Sequence, residues 1–187
     1  MSYMQVSTKR ILSDSLVSIL QNEQVDKITV KDIVTSCDLT RQTFYNHFSD
    51  IYELVEWTAS EAADKALANV SDYENWQRGF YNVMIEIKKN KNLVLNTYQS
   101  VYRDLLEKYL YEVIYSYIIV VVERQAIDMS VEQNHKDFIA HFYSLAFISL
   151  IFEWVKDGMK DDPKDIVEQT GVLVEGDFKK ALNKYAK

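Results

Sequence analysis

Residues that end helices and form tight turns are scarce in this chain, which has one proline and four glycines among 187 residues. Folds rich in strands need such residues at short intervals, because each strand ends in a turn. Long stretches without them favour helices, and the apolar residues recur at helical spacing. With 48% hydrophobic residues the chain can bury a sizeable core. We therefore predict an all-α fold with about nine helices.

The first 50 residues contain the pattern of three short helices. The first covers residues 9–21, with its apolar residues on one face. Thr29 is the expected N-cap of the second helix, which stops near Asp38, and Thr40 is the expected N-cap of the third, Arg41–Phe48. Two short helices joined by a tight turn have the geometry of a helix-turn-helix. We predict such a domain over residues 1–50 and a larger helical bundle over residues 51–187.

Further helix starts are indicated by local capping signals. Three of them have the spacing of a capping box, and the fourth places proline at the first helical position. These starts are Asp50–Glu53, Ser71–Glu74, Ser130–Gln133 and Asp162–Pro163. One run, Ile118–Val122, consists of five β-branched residues and alone would resemble a strand. No turn residue separates it from the helical patterns on either side, so we predict a helix there.

The polar face of the third helix carries residue types that read DNA. Arg41 can donate two hydrogen bonds to guanine, and Gln42 or Asn46 can pair with adenine. Hydroxyl groups, basic side chains and the amides of a helix N-terminus can bind phosphates. The other expected contacts with double-stranded DNA come from Thr29, Lys31, Thr40, Thr43, Tyr45 and His47.

The charge of the chain alone argues against nucleic acid as a partner, because the formal net charge is -7. The acidic surplus lies mainly behind residue 50, since the first 50 residues have five basic and six acidic side chains. A nearly neutral head is compatible with DNA binding through a few placed contacts, although it does not predict it.

The segment ITVKDIVTSCDLTRQTFYNHFSDIYEL resembles the N-terminal domain of the TetR family of transcriptional regulators. The agreement with the family pattern falls on Ile28, Thr29, Val30, Asp32, Ile33, Thr43, Phe44, Tyr45, His47 and Phe48. The resemblance is strong over residues 8–55 and weaker beyond them. It implies a homodimer that binds a palindromic operator, with dimer contacts from two late helices near 131–157 and 163–185. It also implies an effector pocket among the middle helices.

Two positions depart from the family pattern. Asp38 stands where the family usually has glycine, and aspartate can adopt the conformation that the turn needs. Ile51 stands where the family often has a lysine that binds a phosphate. Loss of that contact should weaken DNA binding somewhat and flatten its salt dependence.

A narrower resemblance joins the segment Phe44–Trp57 to the subgroup that includes regulators of dihydroxyacetone kinase operons. Trp154, Gly158, Met159 and Pro163 are similar to the C-terminal domain of the same subgroup. Some of its members are activators, or use a protein partner in place of a small ligand. The effector of this chain is therefore either a small molecule or a protein.

Aromatic residues concentrate in the middle helices, where tyrosines can line a pocket with an apolar wall and polar tips. The expected pocket residues are Trp76, Phe80, Tyr98, Tyr102, Tyr109 and Tyr117. Ordinary core and surface packing is the alternative interpretation. A late helix is apolar on more than one side, so one side can serve the core and another a second protomer. The expected interface residues are Phe142, Leu145, Ile148, Phe152, Val155 and Val172. The alternative is a helix buried entirely within its own chain.

Other classes of protein are disfavoured. The single cysteine, Cys37, excludes an intrachain disulfide, fits a cytoplasmic address and is expected to be a small buried hydrophobe rather than a redox sensor. The apolar stretch Phe138–Val155 contains Glu153, which is costly in lipid, so we expect no membrane span. His135 and His141 do not share a helical face, so no metal site is expected. Common catalytic and cofactor motifs are missing, which argues against an enzyme.

One alternative function stays open at this point. The acidic body and the missing lysine at position 51 are compatible with a protein-interaction module, a co-regulator whose head binds DNA weakly.

Overall fold

In the computed structural model the described residues are 7–67 and 76–186, and they form helices without strands. The helices are α1 (Thr8–Leu20), α2 (Val30–Ser36), α3 (Arg41–Tyr45), α4 (Ile51–Leu67), α5 (Trp76–Lys89), α6 (Lys91–Tyr98), α7 (Arg103–Gln125), α8 (Gln133–Lys156), α9 (Pro163–Val174) and α10 (Asp177–Tyr185). The all-α prediction is confirmed. Ten helices appear in the described ranges instead of about nine, because Gly176, at φ 73°, separates α9 from α10.

Several helix starts follow the predicted capping chemistry. The Thr29 hydroxyl accepts a hydrogen bond from the Asp32 amide, and the Asp32 carboxylate accepts one from the Thr29 amide. Thr40 caps α3 by accepting from the Thr43 amide at 3.1 Å. The Asp162 carboxylate caps α9 by accepting from the Lys164 amide at 2.8 Å, with proline at the first helical position. These starts depend on interactions within one helical turn.

Two predicted boundaries are wrong. The third helix ends at Tyr45 instead of Phe48, because the backbone tightens into a turn in which the His47 amide donates to the Phe44 carbonyl. The capping box expected at Ser130 does not form: α8 begins at Gln133, and its N-cap, Glu132, makes no side-chain cap. The box expected at Ser71–Glu74 lies outside the described residues.

One compact unit consists, within the described part of the chain, of residues 7–62 and 90–106. Its core is formed by fully buried side chains from α1 to α4, which are Leu12, Leu16, Ile33, Phe44 and Leu54. The buried Ser15 hydroxyl donates to the Ile33 carbonyl at 2.7 Å and so joins α1 to α2. The Asn96 amide donates to the carbonyl of Leu20, the last residue of α1, at 2.8 Å. Helix α6 is thereby tied to α1.

The second unit consists of residues 63–67, 76–89 and 107–186 of the described part. Aromatic side chains pack at its centre, where the Phe147 ring lies 4.8 Å from Trp76 and 4.7 Å from Phe80 between centroids. The β-branched run Ile118–Val122 lies inside α7, as predicted. Helix α8 is long and apolar enough to cross a membrane by length and composition, and half of its most apolar segment is buried within the protein.

Candidate nucleic-acid interface

Helices α2 and α3 are held together by apolar packing and by the turn between them. Ile33, Val34, Phe44 and Phe48 are buried beneath the two helices. The Leu39 amide donates to the Val34 carbonyl at 2.9 Å, which closes the turn after α2. Asp38 adopts a φ of 55° there, so aspartate supplies the left-handed residue for which the family usually uses glycine. The buried pair of phenylalanines fixes which face of α3 points outward.

That outward face consists of polar and aromatic side chains. Arg41, Gln42 and Asn46 are exposed, and the Tyr45 ring is 55% exposed although it contacts Phe44 edge to face. An aromatic residue that stays this exposed on a short helix is available to a partner. The fold thus brings together the residues that the sequence predicted to read bases.

Hydrogen bonds already order part of this face. The Gln42 side-chain amide donates to the Asn46 side-chain oxygen at 3.0 Å. This leaves the Gln42 oxygen as an acceptor and the Asn46 amide as a donor. Adenine offers the matching donor and acceptor in the major groove, so the two side chains can act as one unit. The Arg41 guanidinium makes no hydrogen bond or ion pair within the described part of the chain, so its donors are free for a base edge.

The other residues predicted to contact DNA lie on the same segment, and they differ in burial and in the hydrogen bonds that their side chains already make. Thr40 and Thr43 are hydrogen-bonded to each other through their hydroxyls at 2.9 Å, and His47 is half-buried. Thr29 is committed to its capping box, whereas Lys31 is exposed. Phosphate contacts are therefore easiest for Lys31 and for backbone amides at the start of α3.

The start of α4 is acidic where the family often has a lysine. The Asp50 carboxylate accepts from the Glu53 amide at 2.9 Å, and the Glu53 carboxylate accepts from the amide and hydroxyl of Ser49 at 2.7 and 2.9 Å. These hydrogen bonds from Ser49 hold the pKa of Glu53 below its usual value. Two carboxylates thus occupy the positive end of the helix, beside Ile51, and a DNA phosphate is disfavoured there.

The six residues predicted to line one effector pocket are divided between the two units. Trp76, Phe80 and Tyr117 pack in the second unit around a gap that leaves no space for a water molecule. Tyr98 and Tyr102 belong to the first unit, where Arg103 lies over the Tyr98 ring and Tyr52 packs on Tyr102.

Tyr109 is half-buried on α7 beneath Lys108. The sequence could place each aromatic residue on its helix, but it could not show which helices are neighbours. The effector pocket at these residues stays a prediction, and the aromatic centre of the second unit is filled by packing.

The residues predicted for the dimer interface divide between two sides of the late helices. Phe142 and Leu145 on α8 are 58% and 46% exposed, and Val172 on α9 is 78% exposed. Phe138 was not predicted to belong to that set, although it lies one helical turn before Phe142 and is 59% exposed. The i, i+4 spacing of these two phenylalanines was the available signal.

The other three predicted interface residues are buried in their own chain. Ile148 and Phe152 are 4% and 8% exposed, and Val155 is fully buried. They face the core of the second unit, so they are removed from any interface proposed below.

Cys37 and the histidines take structural positions. The half-buried Cys37 thiol donates to the Ile33 carbonyl at 3.2 Å. The His141 Nδ1 atom is hydrogen-bonded to the Tyr111 hydroxyl at 2.8 Å, and the His135 ring stacks on Tyr185. Within residues 7–67 and 76–186, no group of three or more His, Cys, Asp or Glu side chains is arranged to hold a metal ion.

The chain is similar to known transcriptional regulators. A TetR-type family model, described as a transcriptional regulator C-terminal region, matches residues 74–176. The HTH-type dhaKLM operon transcriptional activator DhaS of Lactococcus lactis subsp. lactis (strain IL1403) is 27% identical over 86 residues. That match covers 46% of this chain and 46% of the relative, so it spans about half of the relative's length.

Solved structures agree over nearly the whole chain. A dihydroxyacetone kinase operon activator, DhaS, superposes with a TM-score of 0.70 at 18% identity, covering 98% of this chain and 100% of that one. The TetR family repressor AlkX from Dietzia sp. strain DQ12-45-1b, implicated in the biodegradation of n-alkanes, superposes with a TM-score of 0.61 at 15% identity. It covers 95% of this chain and 98% of its own. At these identities the structures show a shared fold.

Proposed function

This chain belongs to the TetR family of transcriptional regulators, and we propose that it binds a palindromic operator as a homodimer through the helix-turn-helix at residues 29–48. It is a regulator and not an enzyme, as predicted. The exposed and unpaired Arg41 beside the ordered Gln42–Asn46 pair is the observation that carries the proposal.

The recognition face supports specific reading of a few base pairs. A guanidinium that is free can donate two hydrogen bonds to guanine, and a bidentate contact of this kind discriminates by about 1–3 kcal/mol against a wrong base. Gln42 and Asn46 are four residues apart, so their side chains lie on the same face of the helix. The pair therefore presents a second contact within reach of the same groove. Two copies of this face, related by a two-fold axis, read a palindrome.

Exposed apolar side chains on the late helices support the proposal that the protein is a homodimer. Phe138, Phe142 and Leu145 follow one another along α8 at helical spacing, and each is at least 46% exposed. Val172 and Leu173 on α9 are each 78% exposed. Large apolar side chains grouped on late helices mark a protein interface, and a second copy buries the same patch on both subunits.

We also propose that an effector controls DNA binding by this regulator. The structure favours fewer kinds of effector than the sequence alone did. The aromatic centre of the second unit is filled, whereas pockets for drug-sized ligands have volumes of about 300–1,000 Å³. This favours a protein partner or a small ligand below that size. The curated relative is named as an activator, which favours activation over repression for this chain.

Selection from genomic DNA tests the proposal. The wild-type protein should enrich one palindromic site from a library of fragments, whereas a variant with Arg41→Ala, Gln42→Ala and Tyr45→Phe should enrich none. Lys88→Ala, which also removes one exposed cation but from α5, is the matched control and should recover the wild-type site. Equal enrichment by wild type and the triple variant would contradict DNA reading through α3.

A further inference from the structure

A small cleft opens on the second unit, apart from the filled aromatic centre. It has a volume of about 180 Å³ and is bounded by α5, α7 and the junction of α9 with α10. The residues used below are Trp76, Gln77, Val121, Gln125, Glu175 and Phe178. A cavity of about 150 Å³ is known to hold a benzene-sized molecule, so the cleft has room for one ligand of roughly six to eight non-hydrogen atoms.

The inner wall of the cleft is apolar and fixed in place. Trp76, Val121 and Phe178 are 6%, 7% and 2% exposed, so they belong to the core and only a small part of each side chain borders the cleft. The Trp76 and Phe178 rings meet edge to face at 6.5 Å, and Trp76 also packs on Phe147 at 4.8 Å. Such a wall exists before any ligand arrives and needs little reordering to bind one.

The mouth of the cleft is polar, and its polar groups are not used by the fold. Gln77, Gln125 and Glu175 line it, and none of them forms a hydrogen bond or ion pair within the described part of the chain. Two amides can donate or accept, whereas the carboxylate can only accept and carries the charge. Three unused polar side chains around one apolar wall are the composition of a small-ligand site.

Among the described residues that line the cleft, the charged side chain is the carboxylate of Glu175. Glu175 is the C-cap of α9, where the last carbonyls give the helix end a partial negative charge. Helix α10 starts beside it, but Asp177 lies in its first turn and pairs with Lys180 at 2.8 Å, which offsets the positive end of α10. An aromatic wall below a free carboxylate suits a cation that has an apolar surface.

We propose that this cleft binds a small organic cation, an alkylammonium with an apolar body, and that the ligand is an effector of the regulator. The ammonium group lies toward Glu175 and the amide oxygens, and its carbon atoms lie on the Trp76–Phe178 wall. The inference rests on the proposed function only in taking the ligand to be an effector, because the binding step needs no DNA.

A matched pair of probes tests the charge and the wall separately. Choline and its neutral isostere 3,3-dimethylbutan-1-ol have the same shape, and each is titrated into the full chain by calorimetry without DNA. Choline should bind saturably, and the isostere about tenfold more weakly. Glu175→Gln should weaken choline binding by about tenfold, whereas Glu168→Gln on the same helix should leave it unchanged.

A second variant keeps the test informative about the cleft itself. Gln125→Arg adds bulk and a positive charge at the exposed mouth without changing the core, and it should abolish choline binding while the thermal midpoint stays near that of the wild type. No choline binding by the wild type, equal binding of the isostere, or unchanged binding by Glu175→Gln would each overturn the proposal. Operator selection by the wild type in parallel distinguishes this failure from failure of the DNA-binding proposal.

Discussion

The proposed dimer face on α8 allows a quantitative prediction for Phe142→Asp. Phe142 is 58% exposed in the single chain. A buried phenylalanine covers about 200 Å², so about 115 Å² of this side chain remains for the partner to cover. At about 25 cal/mol per Å², its burial contributes about 3 kcal/mol per protomer and about 6 kcal/mol per dimer. These figures are upper values for a fully covered ring.

Sedimentation equilibrium measures the effect directly. Even if half of that area is covered, the substitution costs about 3 kcal/mol, which raises the dimer dissociation constant by more than about 100-fold. Ile127→Asp is the control, because Ile127 is 76% exposed but lies beyond the end of α7, outside this face. A Phe142→Asp variant that keeps its helical spectrum and dimerises like the Ile127→Asp variant would mean that this face of α8 is not the dimer interface.

Three other perturbations have expected outcomes. Ile51→Lys should tighten binding to all DNA and steepen the salt dependence by about 0.9 in the slope of log K against log salt; an unchanged slope would mean that no phosphate lies near α4. Gly79→Ala places a Cβ 3.0 Å from the Tyr117 ring, so urea unfolding should show a loss of about 1 kcal/mol despite the better helix propensity of alanine, and a gain in stability would mean that the ring moves freely. Hydrogen bonds from Thr29 lower the pKa of Asp32, as those from Ser49 lower that of Glu53. Groups with lowered pKa values stabilise the fold above their unfolded pKa and lose this effect as the pH falls through the folded value. Acid should therefore destabilise the head below about pH 4, and Asp32→Asn should weaken this dependence measured as thermal midpoint against pH.

Local chemistry explains which features of the fold were predictable. Thr29, Thr40 and Asp162 begin helices because their side chains satisfy amides two or three residues away, and such spacing is visible in the sequence. The predicted start of α8 was wrong. Ser130 and Gln133 have the spacing of a capping box, but the backbone becomes helical only after Glu132. A pattern offers a cap, and tertiary packing decides whether it is used.

The candidate functional residues also include some that local spacing could predict and others that depend on tertiary packing. The outward face of α3 followed from the spacing of Phe44 and Phe48, since two buried residues one turn apart fix the opposite face. The sequence could not show which aromatic residues pack against one another, because a tyrosine on a helix gives no sign of its neighbours on another helix. The two sides of α8 were indistinguishable for a similar reason: both are apolar, and only the fold shows that Ile148 faces inward and Phe142 outward.

The claim that α3 reads bases is tested most directly by the affinity of Arg41→Ala for the selected site and for an unrelated duplex, measured by fluorescence anisotropy at one salt concentration. We expect a loss of about 1–3 kcal/mol on the selected site and a much smaller loss on the unrelated duplex. We also expect relaxed base preference at one base pair of each half-site. Unchanged affinity for the selected site, or equal losses on both duplexes, would contradict the claim.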